Sequence, residues 1–274
     1  QTFTSYDWLE AMDWIKNNTP ENAVIAAWWD YGYWITTLSD RTTLADNATL
    51  NDWQIKKIAY SLLSSLNDSW KILYSGYDVD VSSSFNSEFS EALLYSGNPN
   101  PIPNCTIVSA SEHNLTGKPV NFCNPIMGGM DADYVLIYVT VERIASPGVN
   151  ISLYQMLSGG DESKKGWFAK ISNQEPNRFT MRDGQTPTDN FLFNTTLGQL
   201  LPFEIVAFFD PLTGMITPDY LSDDSIPIYQ KNIKLSDSEN DPFYLVYASP
   251  SFYSDMPGQK NIVLVYKINS NYNG

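Results

Sequence analysis

Between Ala23 and Asp52 the chain reads AVIAAWWDYGYWITTLSDRTTLADNATLND, placing Trp28, Trp29, Asp30, Tyr31 and Gly32 in one unbroken block. An indole N–H can only donate a hydrogen bond, and an ionised carboxylate can only accept one. Two indoles and one carboxylate around a cavity therefore meet both halves of a hydroxyl and would recognise a Ser or Thr side chain. A ligand without the hydroxyl would leave the site's own polar groups unpaired and be rejected. The plainer reading of the same residues is two core tryptophans with Asp30 at a turn or cap. Residue type alone favours the plainer one.

A second candidate is Asp161-Glu162-Ser163-Lys164. At i and i+3 on a helix, Asp161 and Lys164 share a face and by themselves read as an exposed ion pair worth well under ~1 kcal/mol. Other chemistries find little support. One histidine, His113, and two cysteines far apart cannot make an ordinary zinc site. Asp78 and Asp80 read as solvated loop charges. His113 has no nucleophile-elbow motif to serve, and no glycine-rich phosphate loop is present.

The elements that must position these residues follow from periodicity. Ser5 to Asn17 is amphipathic at helical spacing, with Ser5 as N-cap and Thr19-Pro20 as its stop. Ala23 to Ala27 reads as a buried strand delivering Trp28 to Gly32 to its end, where Gly32 permits a tight turn before a helix start at Tyr33. Strand end, turn and helix start form a common place for a site. Asn51 to Leu66 and Phe85 to Leu94 read as helices, and Tyr134 to Thr140 as a buried strand. Asp161 reads as the N-cap of a helix running to Ile171, and Thr188 to Leu201 as one more helix. Strands are expected at Phe203 to Phe209, Ile226 to Tyr229, Phe243 to Ala248 and Ile262 to Ile268.

The fold class is thus mixed α/β: a helix-rich α/β core over residues 1–200 carrying WWDYG at a strand end, then a β-rich portion over 201–274. Residues 97–125 form an irregular insertion holding Cys105 and Cys123. A disulfide between them suits an oxidising compartment, and a reduced pair suits the cytosol. A net charge of -15 leaves no basic stripe for a phosphate backbone, which argues against nucleic acid as a partner. No apolar run is long enough to span a bilayer, and the start QTFTSYDWLEAMDW is no signal peptide; it reads as an excised domain would. Sequons of the form Asn-X-Ser/Thr at Asn17, Asn47, Asn67, Asn104, Asn114, Asn150 and Asn194 lean towards an extracytoplasmic location.

WWDYG at Trp28 to Gly32 resembles the signature of oligosaccharyltransferase catalytic subunits, the enzymes that N-glycosylate proteins. The likeness runs through TPENAVIAAWWDYGYWIT and DRTTLADNATLND. Further on, DYVLIYV (Asp133 to Val139) and DESKKGWFAKI (Asp161 to Ile171) resemble the family's strand and its DxxK motif, with Asp161 and Lys164 on the motif's Asp and Lys. The family pattern has Met or Ile four residues after the Lys; here Phe168 stands there, with Ile171 one turn later. The acidic, sequon-rich chain with no long accessory region is similar to an archaeal form.

The resemblance implies a membrane protein with a C-terminal domain on the extracytoplasmic face. That domain's Trp28, Trp29 and Asp30 would bind the hydroxyl of the Ser or Thr two residues after the acceptor Asn. Tyr31 and Gly32 would support the motif, and Asp161, Lys164 and Phe168 or Ile171 would shape the wall. Mn²⁺ or Mg²⁺, the catalytic carboxylates and the site for the lipid-linked (dolichol-type) oligosaccharide would lie in a membrane part outside this chain. No catalytic or metal-ligating residue is then expected here. The acceptor polypeptide would be the direct partner. Three other classes fit the residues less well: a secreted carbohydrate-binding module using exposed aromatics, a glycoside hydrolase pairing Asp30 with Asp40, and a structural surface-layer domain with WWDYG wholly buried.

Overall fold

The structure is a computed structural model that describes residues 6–49, 52–74, 130–144 and 152–273, together with two short strands at 107–108 and 120–121. Helix α1 (Tyr6–Asn18) buries Trp8, Ala11, Met12 and Ile15 along one stripe, as its period requires. The buried Arg41 closes its C-terminus, donating to the carbonyls of Lys16 and Thr19 at 2.6 and 2.8 Å. A guanidinium there satisfies carbonyls that have no partner within the helix and complements the helix dipole. It also ties the segment after WWDYG to α1.

β1 (Val24–Ala26) pairs in parallel with β2 (Thr42–Thr43) and with β5 (Tyr134–Ile144). β5 reads YVLIYVTVERI and is buried through most of its length, as a strand covered on both faces must be. Antiparallel β11 (Gly258–Ile268) covers one edge of β5 from Tyr134 to Arg143. Two strands share the other edge: β1 meets Tyr134 and Val135, and β6 (Leu153–Met156) meets Val141 to Ile144. Between them lies a gap, which the site fills.

The nine-stranded sheet runs β10 (Phe243–Ala248), β11, β5, β6, β9 (Ile226–Lys231), β7 (Phe203–Asp210), β8 (Met215–Thr217), with β1 and β2 joined at β5. Strands from before and after residue 201 therefore share one sheet, and the fold class is mixed α/β, as the sequence indicates. The two-residue strands β3 (Ile107–Val108) and β4 (Val120–Asn121) pair separately. Among the described residues, no helix is long and apolar enough to cross a membrane.

One expected helix ends early and a second is divided. The helix expected over Asn51 to Leu66 is α3 (Asp52–Leu63), and a helix not indicated by the pattern, α4 (Leu66–Leu73), follows with Ser65 as its cap: the Ser65 hydroxyl accepts from Asp68 N and donates to the Asp68 carboxylate. The second becomes α6 (Asp189–Asn194) and α7 (Thr196–Leu200), where the Thr195 hydroxyl accepts from Gly198 N at 3.0 Å. The expected helix Phe85 to Leu94, the Cys105–Cys123 pair and most of the 97–125 insertion lie outside the described residues.

Candidate functional site

The chain leaves the sheet edge after Ala26. Trp28 is extended (φ -60, ψ 140), Trp29–Tyr31 make a single 3₁₀ turn, and the short helix α2 (Gly32–Trp34) continues it. Trp28 is 2% exposed, with its ring 4.6 Å from that of Phe168 and 6.0 Å from that of Trp29. The packing reading thus holds for Trp28. It does not hold for Asp30, whose side-chain partner is a lysine rather than a backbone N–H.

Gly32 has an ordinary helical φ of -56, so a turn conformation does not require glycine there. Space does: a Cβ would lie 2.4 Å from the carbonyl oxygen of Ala45 and 2.4 Å from Asp46 Cα. The Ala45-Asp46 loop therefore rests directly on the WWDYG turn. Asn47 Nδ2 adds a long bond to the Asp30 carbonyl at 3.4 Å.

Asp161 fills the gap on the edge of β5. Its N–H donates to Tyr138 O at 2.7 Å, and its Oδ2 accepts from Tyr138 N at 2.8 Å. One residue thus supplies both bonds that a neighbouring strand would have made. The preceding Gly160 lets it approach, since a Cβ there would meet Thr140 N at 2.8 Å. The expectation of an N-cap is corrected accordingly: Asp161 stands at the cap position of the Glu162–Lys164 3₁₀ turn but makes no capping bond with its side chain. Helix α5 (Lys165–Ile171) follows and carries Phe168 under Trp28.

Lys164 joins the two motifs across 134 positions of sequence. Its Nζ donates to Asp30 Oδ2 at 2.8 Å and to the Tyr31 hydroxyl at 3.0 Å, and lies 3.8 Å from Asp161 Oδ1. Tyr31 in turn donates to Asp161 Oδ1 at 2.8 Å. The exposed Asp161–Lys164 pair expected from spacing is corrected too: Asp161 is 1% exposed, and the lysine's shorter ion pair is with Asp30. Burial, then the neighbouring Asp161 carboxylate, pushes the Tyr31 hydroxyl well above its usual range, so it remains a neutral donor.

Burial also raises the Asp161 carboxyl, against Lys164 and the bonds from Tyr138 and Tyr31, which pull it down. A carboxyl whose folded value lies above its unfolded one contributes stability at low pH that is lost as pH rises through the folded value. Asp161→Asn cannot ionise. The stability advantage of the native residue over Asn should therefore be largest in acid and shrink as pH rises through and above the carboxylate range. Denaturant unfolding of both proteins at stepped pH reads this difference; an advantage that grows with pH would mean that the Lys164 pairing outweighs burial.

Asp30, Tyr31, Asp161 and Lys164 thus form one network, with the tilted rings of Trp28 and Phe168 packed beside it. Trp29 is half-buried on the same turn, and Ile171, the last residue of α5, is half-buried against the core. Sequence reasoning missed the bridging role of Tyr31 and the part played by Tyr138 N–H. No local pattern signals either one, because both depend on where β1 and β6 stop.

Lys164 brings Asp161 near Asp30, and both Asp161 oxygens are buried and engaged by Tyr31 and Tyr138. Among the described residues, no group of three or more His, Cys, Asp or Glu side chains could hold a metal ion.

A family model described as the STT3/PglB/AglB core domain matches residues 21–91, a stretch that includes Trp28 to Gly32. Over 74 residues the chain is 43% identical to the dolichyl-diphosphooligosaccharide–protein glycosyltransferase subunit STT3 of Saccharomyces cerevisiae, covering 27% of this chain and 10% of that protein. Over 69 residues it is 39% identical to subunit STT3B of Oryza sativa subsp. japonica, covering 25% and 10%. The matched stretch spans about a tenth of the length of these relatives. The C-terminal globular domain of an oligosaccharyltransferase from Archaeoglobus fulgidus aligns with 84% of this chain and 100% of its own at 15% identity, with a TM-score of 0.32. Residues 21–91, and with them the WWDYG turn, are thus similar in sequence to the core domain of oligosaccharyltransferase subunits.

Proposed function

We propose that this chain is the C-terminal region of an oligosaccharyltransferase subunit, a membrane glycosyltransferase of archaeal type, and that its WWDYG turn holds the acceptor polypeptide. Trp28, Trp29 and Asp30 grip the hydroxyl of the Ser or Thr two residues after the acceptor Asn. The observation that carries this reading is the 2.8 Å bond from Lys164 to Asp30 Oδ2. It joins the two stretches whose sequences resemble the family's motifs, and it fixes one carboxylate oxygen.

Among the described residues, Asp30 Oδ1 accepts no hydrogen bond and the indole N–H groups of Trp28 and Trp29 have no acceptor. A hydroxyl placed there would donate to Oδ1 and accept from an indole. Holding Asp30 by a lysine that is itself held by Tyr31 sets the carboxylate's direction before substrate arrives, which lowers the ordering cost of binding. Phe168 under Trp28 restrains the indole. Asp161, Lys164 and Phe168, with Ile171 at the helix end, form the wall.

In this reading the chain recognises substrate and leaves bond-making to a membrane portion on whose extracytoplasmic side it sits. That portion supplies the carboxylates that activate the Asn amide, the Mn²⁺ or Mg²⁺ and the dolichol-linked oligosaccharide. The isolated chain, mixed with lipid-linked oligosaccharide, an Asn-X-Thr peptide and Mn²⁺, should give no glycopeptide by mass spectrometry. Turnover would sink this division of labour.

A further inference from the structure

The turn Glu162–Lys164 faces more than Asp30. Beside it lies a cavity of about 610 Å³, walled by the end of β6 and the following loop, residues 183–187 and the start of β9. That volume falls within the roughly 300–1,000 Å³ of pockets that take small organic ligands. Its charged lining is four carboxylates, Glu162, Asp183, Asp223 and Asp224, against a single cation, Lys165. Lys165 is 1% exposed and already engaged, with Nζ 2.6 Å from Glu162 Oε1 and 3.3 Å from the Glu162 carbonyl oxygen.

Acidic walls alone say little on a chain of net charge -15. Tyr229 says more. It lines the cavity, is 2% exposed, and among the described residues its hydroxyl makes no hydrogen bond. Buried hydroxyls are normally paired, as the core residue Tyr266 shows by donating to Leu200 O at 2.5 Å. The Tyr229 hydroxyl is also not sealed among apolar atoms, unlike that of Tyr154, which is both enclosed and unpaired. Burial first, then Glu162 and Asp183, hold Tyr229 well above its usual range, so its oxygen stays protonated and can both donate and accept.

We propose that this cavity binds an organic cation, with an ammonium or guanidinium group held by the Tyr229 hydroxyl and the surrounding carboxylates. The wall's one cation is already paired with Glu162, so the charge left on the lining is negative. An ammonium or guanidinium group meets that charge. A metal ion fits less well, since among the described residues no three carboxylates are grouped as ligands. The inference is independent of the reading given to Asp30, although Lys164 and Lys165 put the two sites one residue apart along the chain. Two sources carry this chemistry: a free polyamine, and the Lys or Arg side chains of a polypeptide.

The test is amide chemical-shift titration of the ¹⁵N-labelled chain at about 0.15 M salt, where diffuse attraction is screened. The probes are spermidine, a peptide of Gly, Arg and Lys only, and maltose. Saturable shifts confined to the residues around Ser158, Ser163, Gln185 and Ser225 are expected with the cations, the tighter probe identifying the source. Tyr229→Phe, which leaves net charge unchanged, should weaken binding about tenfold or more, the scale of a lost bond to a charged group. If Tyr229→Phe does not fold, the double variant Asp223→Asn, Asp224→Asn carries the same expectation. No saturation, shifts scattered over the acidic surface, maltose binding in preference, or unchanged affinity in the variants would overturn the proposal. Because no transfer assay enters, failure here leaves the acceptor reading standing.

Discussion

Under the acceptor-binding role proposed for the WWDYG turn, replacing Asp30 by Ala in the full-length subunit is expected to lower transfer to Asn-X-Thr peptides by about two orders of magnitude or more, with the fold unchanged. The size follows from what is removed. A site built to hydrogen-bond a substrate hydroxyl discriminates strongly by leaving its own groups unpaired, and truncating the acceptor takes away that discrimination and the orientation it provides. The small cost in stability follows from exposure: the Asp30 and Lys164 side chains are 35% and 20% accessible, where an ion pair is worth under about 1 kcal/mol. Lys164 is not stranded either, because the Tyr31 hydroxyl and Asp161 remain beside it. Transfer rates with the melting temperature of the same preparation check both halves. Normal glycosylation by the variant would refute the pocket.

The second large effect is on stability. Gly32→Ala should cost about 3 kcal/mol, the upper end for forcing a methyl into packed surroundings, or a melting temperature lower by roughly 6–12 °C in a chain of this size. The sign is diagnostic. Gly32 has helical dihedrals, so helix propensity alone would make Ala more stable by about 1 kcal/mol. The neighbours at 2.4 Å are backbone atoms of Ala45 and Asp46, which cannot swing aside as a side chain would. Scanning calorimetry of the variant decides between the two; a raised melting temperature would mean that the loop yields freely. In the full-length subunit the same change should also weaken transfer, because the displaced loop rests on the turn that carries Asp30.

Much of the scaffold was legible because it is local. The apolar stripe of α1 and the run YVLIYVT in β5 depend only on periodicity, and both elements lie where the pattern puts them. Two helical stretches depart from the pattern for a local reason as well. Ser65 with Asp68 is a capping signal that starts a further helix, α4, where the expected one ends, and Thr195 ahead of Gly198 is a weaker one inside an expected helix. Apolar spacing alone cannot see such caps.

The site was legible in its members and not in its wiring. Asp161 after two glycines looks like a helix cap, yet its carboxylate serves Tyr138 N–H on a strand, because β1 and β6 leave that stretch of β5 uncovered. Lys164 looks like a partner for Asp161 at i+3, yet the tertiary fold offers it Asp30 at shorter range. Which of two nearby carboxylates a lysine chooses is set by the burial of one and the accessibility of the other, and neither can be read from spacing.

The central claim is that Asp30 and the substrate hydroxyl contact each other. A double-mutant cycle in the full-length subunit tests it most directly. It sets the native enzyme and its Asp30→Ala variant against peptides with Thr, or its near-isostere Val, at the second position after the acceptor Asn. If the two groups touch, Thr→Val should reduce kcat/KM about a hundredfold or more with Asp30 in place. The same change should have little effect in the Asp30→Ala background, the non-additivity expected of a direct pair. Equal losses from Thr→Val in both backgrounds would contradict the claim, and would place the hydroxyl elsewhere.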